Sequence, residues 1–228
     1  MLSWYRARRV TRMGSSTLKA LRNLDAGCHW ALAGRKGDQA AGNGAAMRIA
    51  PLAFCVDPFT TSGRQVIRDL CRITHHNEEA YVGAYAVVLA IKASAALSEP
   101  FSLLDIALHL PDSVVRDRLM ALAPSEMAMS IREAAGRLGT SGYVADSVPL
   151  ALFASRRIPA IGFTEMIEQV IQVGGDTDTI ASIAGQIAGA ALGLSRLPSQ
   201  LIELLPERKM VFAIAEGLAG RLEAADPA

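Results

Sequence analysis

GGDTDTIASIAGQIAGAALG occupies residues 174–193. From Ile180 onward the run is apolar and has the length of a buried helix, not a strand. Gly174-Gly175 supplies a sharp turn that needs no side chain. Asp176, Thr177, Asp178 and Thr179 then stand at the mouth of the helix. Gly185, Gly189 and Gly193 recur at spacing four, which places them on one helical face. A glycine inside a helix costs up to about 1 kcal/mol relative to Ala. The expected compensation is close approach by a neighbouring helix, making this a rigidly held central helix.

Outward from this stretch the same period dominates, and no alternating strand pattern appears. Asn77 followed by Glu78-Glu79 reads as a helix start. The amide caps an orphan N–H and the acids oppose the positive dipole end. The run AYVGAYAVVLAIKASAAL (80–97) is apolar nearly all round, as a central buried helix would be. Further helices are expected after Ser16, near Pro111, from Ser125-Glu126 to Gly139, from Thr164-Glu165 to Gly174, and from Pro206. Short turns connect them, with no long linker and no repeat. The expected fold is all-α, a single-domain helical bundle over 1–228 with an Ala-rich core.

With 228 residues and 51% hydrophobic content, the chain can bury a substantial core. Its 23 basic and 22 acidic residues nearly cancel, so charge points to neither a nucleic-acid nor a membrane partner. The longest apolar runs, Ala80–Ile91 and Ile180–Leu194, fall short of the ~20 residues of a bilayer span. Cys28, Cys55 and Cys71 are odd in number and scattered, which argues for neither a disulfide framework nor zinc. A reducing cytoplasm is the default compartment. The N-terminal cluster Arg6, Arg8, Arg9, Arg12, Lys19 and Arg22 precedes any acid. An Arg/Ser-rich start of this kind is also transit-peptide composition. A solvated surface is the simpler reading.

The Asp-Thr-Asp-Thr quartet supports two readings. One is capping: Asp176 accepts a backbone N–H and Asp178 adds charge to the first turn. The other is a metal site. Two carboxylates two residues apart, with a hydroxyl beside them, are hard oxygen donors suited to magnesium, calcium or manganese. A hard cation wants about six oxygens, so this segment supplies only part of a shell. His75-His76 are adjacent and diverge on a helix, a poor ligand pair. His29 and His109 have no partner constellation. Cys71 shares a helical pattern with Val66, Ile67 and Leu70 and reads as core. Asn43 between two glycines reads as a turn, and Asp146 as a helix cap.

The 174–193 run resembles the C-terminal signature of the ADP-ribosylglycohydrolase family. GNGAAMRIAPLAF (42–54), THHNEEA (74–80) and GYVADSVPLALFA (142–154) resemble further family blocks in the family's order. The resemblance implies an orthogonal all-α bundle holding two magnesium ions, with manganese as an alternative. It implies hydrolysis of the glycosidic bond between ADP-ribose and an acceptor, often a protein arginine. Asp176, Asp178 and Thr179 match metal ligands. Asn43, Gly44, Met47, His75, Gly142, Tyr143, Gly174 and Gly175 match cleft-lining positions, with Tyr143 placed to stack on adenine. ADP-ribose or an ADP-ribosylated protein is the implied partner.

The family also has an N-terminal Thr-Asp-Asp ligand set, and an acidic residue proposed to assist catalysis. Neither is found here, and Asp-Asp does not occur. The first residues, WYRARRVTRMGSSTLKALRNLDAG (4–27), already resemble the middle of a family member. The expectation is therefore a magnesium half-site with no identifiable catalytic acid or base. A longer parent protein, a degraded remnant, or a short form that completes its site with another chain or binds without catalysing would each produce this pattern. An apolar surface left uncovered would favour self-association.

Overall fold

The computed structural model describes residues 1–11, 13–96, 101–125 and 128–225. Arg12 of the basic cluster and Glu126 lie outside them. Packing divides the chain into two compact units, Met1–Ala191 and Leu192–Ala228. In chain order the first contains α1 (Leu2–Arg6), α2 (Ser15–Asp25), α3 (Trp30–Ala33), β1 (Arg35–Lys36), α4 (Leu52–Cys55), α5 (Thr61–Arg72), β2 (His75–His76) and α6 (Glu78–Ala96). It continues through α7 (Leu103–Leu108), α8 (Val114–Leu122), α9 (Ile131–Leu138), α10 (Val144–Arg156), α11 (Ile158–Ile161), α12 (Phe163–Gln172) and α13 (Thr177–Leu192). The second unit carries α14 (Ser199–Glu203) and α15 (Arg208–Ala225). Among the described residues the fold is all-α apart from a two-residue parallel pair, Arg35 opposite His75 and Lys36 opposite His76, and an isolated bridge between Gly42 and Tyr143.

The core is organised around α6 and α10. Every residue of α6 from Ala80 to Ile91 is buried. Asn77 caps it as expected, accepting the Ala80 N–H at 3.1 Å. The 19-residue helix is long and apolar enough to qualify as a membrane span, which corrects the length argument above. Some 72% of its most apolar window is buried inside the protein, as in a core helix. Gly83 lets α10 come close, since a Cβ there would sit 2.2 Å from Val144 Cγ2.

α10 contains Pro149, which has no N–H to give the Ala145 carbonyl four residues back. The gap is filled from α8. Arg118 Nη1 donates to the Ala145 carbonyl (2.9 Å) and the Leu138 carbonyl (2.8 Å), and pairs with the Asp146 carboxylate. Asp146 also accepts from Ser141 Oγ at 2.6 Å, so it braces this turn and does not cap the helix. Arg118→Met should strand two carbonyls and a carboxylate. The expected cost is about 3 kcal/mol, a melting temperature lower by roughly 5–10 °C, readable by thermal denaturation.

Several boundaries differ from the sequence expectation. α9 begins after Ser130, not Ser125, because Ser130 and Glu133 form a reciprocal capping box. Ser125 closes a 3-10 turn instead. α2 starts after Gly14, with Ser16 buried inside its first turn. α8 starts near Pro111 as expected, capped by Ser113, and Glu79 of α6 accepts the Val114 and Val115 N–H groups. Val66 and Leu70 are exposed, while Ile67 and Cys71 are fully buried.

The glycine face of α13 is not a close-packing surface. A Cβ at Gly189 would meet nothing, one at Gly185 only Ile167 Cδ1 at 4.0 Å, and Gly193 lies beyond the helix at φ +65°. The buried stripe is Ile180, Ile183, Ala184, Ile187 and Ala188. α13 packs by that stripe, and the central position belongs to α6.

Candidate functional site

Three loops of the first unit are laced together by backbone bonds. Gly42 bridges to Tyr143, with Val144 N–H on the Ala41 carbonyl (2.9 Å) and Asn43 N–H on the Gly142 carbonyl (3.1 Å). Asp176 N–H reaches the Thr140 carbonyl at 2.7 Å. Gly174 and Gly175 both have positive φ, +77° and +78°, so the turn leading into α13 is one that L side chains resist. Gly142 lies against Asp176, with ordinary contact distance for a Cβ (3.4 Å to Oδ2).

Side chains close the junction. Asn43 Nδ2 donates to Asp176 Oδ2 (2.7 Å) and to Ser147 Oγ (3.1 Å), whose own proton goes to the Tyr143 carbonyl (3.0 Å). Asp176 Oδ1 accepts from the buried Thr179 hydroxyl at 3.0 Å. Asp178 is exposed and accepts its neighbour's N–H, Thr179, at 2.9 Å. Asp176 therefore receives an amide N–H from 133 residues away and a hydroxyl, not the backbone N–H expected of a simple cap. Met47 is partly exposed, and its carbonyl accepts from Gln186 Nε2 at 2.8 Å. Thr140, Ser147 and Gln186 were missed by the sequence reading. Gln186 had a signal, as the lone polar residue in an apolar helical run.

Beneath the 42–44 loop lies a buried polar cluster. His75 and His76 sit on a strand, not a helix, and alternate sides: His75 is buried, His76 half-buried. Arg48, half-buried, donates to the Gly44 carbonyl and to Thr74 Oγ1. Thr74 Oγ1 is 2.7 Å from His75 Nδ1. Thr74 Oγ1 thus links the Arg48 guanidinium to the His75 ring. The Nε2 edge of that ring packs on glycine: a Cβ at Gly44 would lie 2.8 Å from Cε1 and one at Gly42 3.2 Å from Nε2. Cys71 Sγ donates to the His75 carbonyl (3.3 Å), and burial pushes its thiol up to about 12. It is inert at neutral pH.

Burial, and then the Arg48 charge, hold His75 down to about 4. The unfolded chain, with an ordinary histidine near 6.5, takes up the proton first as pH falls. Stability is thus full above about pH 6.5 and declines toward pH 4, by at most about 3 kcal/mol. Melting temperature measured across this window should fall less steeply in His75→Gln than in the wild type. Tyr143 is half-buried, and burial followed by the Glu79 carboxylate raises its phenol. Among the described residues no three His, Cys, Asp or Glu side chains form a metal-sized cluster.

The chain as a whole matches a known family. The ADP-ribosylglycohydrolase family profile matches residues 1–228, and the chain belongs to that family. An uncharacterised protein of Archaeoglobus fulgidus is 30% identical over 219 residues, covering 94% of this chain and 69% of that one. ADP-ribosylarginine hydrolase Tri1 of Pseudomonas putida is 28% identical, over 99% of this chain and 60% of its own. ADP-ribosylhydrolase ARH3 of Danio rerio is 30% identical, over 69% and 51%. A solved ADP-ribosylglycohydrolase-related protein complex aligns with TM-score 0.61 and 26% identity, over 95% of this chain and 70% of that one. The chain thus spans only about half to two-thirds of the length of these relatives.

Proposed function

We propose that the chain binds ADP-ribose at the junction of the 42–47, 140–143 and 174–179 loops and serves hydrolysis of its glycosidic bond to an acceptor such as a protein arginine. The observation that carries this reading is the Asn43–Asp176 hydrogen bond. It joins two family blocks, distant in sequence, into one polar surface. Backbone N–H groups of the glycine turns suit a pyrophosphate. Tyr143 offers a ring for the adenine. His75, held neutral by burial, supports the 42–44 loop from beneath.

The donor set also suits a hard cation in part. Asp176 and Asp178 contribute carboxylate oxygens, and the buried Thr179 hydroxyl gives its proton to Asp176, which leaves its lone pairs free. Two carboxylates also offset the positive end of α13, which would otherwise repel a cation. Asp176, Asp178 and Thr179 would hold magnesium, with manganese as the alternative. When bound, the ion supplies Lewis acidity and orients ribose hydroxyls. These three residues fill at most half of an octahedral shell.

That shortfall favours a second reading, ADP-ribose binding without turnover. The two separate when the chain is incubated with an arginine-ADP-ribosylated protein and magnesium. Release of free ADP-ribose, abolished by chelation, is the expected result. Thermal stabilisation by ADP-ribose with no release would establish the binder. Neither response would remove both readings. We also propose self-association, since large apolar side chains such as Leu204, Leu108 and Ile214 are 60% or more exposed. A monomer by light scattering would overturn that.

A further inference from the structure

We infer that the first unit holds a second site, an anion cavity for the phosphate of a small phosphomonoester, between α5, α6 and the turn after α7. The cavity measures about 340 Å³ and is lined by Arg64, Arg68, Tyr81, Tyr85, His109 and Pro111. Arg64 and Arg68 are one turn apart on α5, and Tyr81 and Tyr85 one turn apart on α6, so each pair shares a face. The tyrosine rings are parallel within 4°, at 6.0 Å between centroids. The site lies across α6 from the family cleft. Gly83, between the two tyrosines in sequence, faces Val144 of α10 on the opposite side.

The two arginines are not equivalent. Arg68 is occupied: it pairs with Glu78 and lies 4.0 Å over the Tyr81 ring. Arg64 has no carboxylate within 4 Å among the described residues. Its Nη1 donates to the Phe59 carbonyl at 2.8 Å, and it shares the cavity wall with Tyr85, whose phenol proton goes to the Pro58 carbonyl at 3.1 Å. Asp57 acts on Tyr85 from a distance, and its own Oδ1 is taken by the Phe59 N–H at 3.0 Å. The remaining guanidinium donors form a fork without an anion. Such a fork matches phosphate and carboxylate alike.

His109 distinguishes them. Its Nδ1 lies 2.8 Å from the Asp105 carbonyl, which can only accept, so Nδ1 carries the proton. The ring is held edge-on to Phe59, with centroids 5.2 Å apart. His109 lines the cavity, and its Nε2 then carries a lone pair. At a pH near or below its second pKa of about 6, a phosphomonoester carries a P–OH to give to that lone pair. An ionised carboxylate has none.

The test does not depend on the hydrolase reading. Imidazole signals of the 228-residue chain are followed by NMR during titration with inorganic phosphate, then with acetate at matched ionic strength. His109 is assigned among the four histidines by His109→Gln. Saturable movement of the His109 signals by phosphate, with acetate at least tenfold weaker, is expected. Arg64→Gln should weaken phosphate at least tenfold. Arg64→Lys, which keeps the charge and loses the fork, should weaken it severalfold at an unchanged melting temperature. Unmoved His109 signals in the wild type would overturn the site, as would equal affinity in Arg64→Gln. Acetate binding as tightly as phosphate would overturn the phosphate assignment.

Discussion

Asp176→Ala should abolish measurable ADP-ribose release and weaken ADP-ribose binding by a hundredfold or more, while also loosening the fold. The carboxylate accepts from Asn43 and Thr179 at once. Its removal leaves the buried Asn43 amide with Ser147 as its remaining partner and frees the Thr179 hydroxyl. The stability cost is about 1–3 kcal/mol, seen as a melting temperature lower by roughly 2–10 °C. Asp178→Asn is the control. Asp178 is exposed and its one bond is to the neighbouring N–H, so the melt should barely change while magnesium response is lost. If both variants behave alike in stability, the bridging role of Asp176 is wrong. If Asp176→Ala retains full ADP-ribose affinity, the junction is not the binding site.

Gly175→Ala should be the most destabilising single methyl addition at the site. The position has φ +78°, and a Cβ would lie 2.2 Å from the Thr140 carbonyl oxygen and 2.3 Å from its hydroxyl. Thr140 would have to withdraw, and with it the acceptor for Asp176 N–H. Backbone strain alone costs about 1–3 kcal/mol. With the clash added, about 4 kcal/mol is expected, or a melting temperature lower by roughly 8–16 °C. Gly174→Ala separates the two contributions. Its φ is +77°, but a Cβ there meets nothing, so only the strain should appear. Equal losses in the two variants would refute the clash with Thr140.

These contrasts also show what the amino-acid order reveals and what it withholds. The helical class, the α6 core, the Asn77 cap and the Gly174-Gly175 turn were legible because each depends on neighbours within a few residues. The loop blocks around Asn43, Tyr143 and Asp176 could be located individually. Their mutual hydrogen bonds could not be read, since Asn43 and Asp176 are 133 positions apart and no period connects them. Local chemistry also misled. Ser125 and Ser130 are both plausible caps, and the choice rests on whether Glu133 can reach back. The Gly185–Gly189 spacing suggested a packed face, yet spacing says which side of α13 the glycines occupy and not what stands opposite.

Pro149 and Arg118 carry a consequence for how this chain can diverge. A proline inside α10 is tolerated because a guanidinium from α8 answers the carbonyl it orphans. Replacing Pro149 with a residue bearing an N–H would restore the helical bond and relieve Arg118 of part of its task. The two sites are therefore epistatic: loss of Arg118 should be milder in a Pro149→Ala background than in the native one. A lineage can drop the proline first and the arginine later, but the reverse order passes through an unstable intermediate. The path of substitution through the core of this family member thus has a preferred direction, imposed by one missing hydrogen.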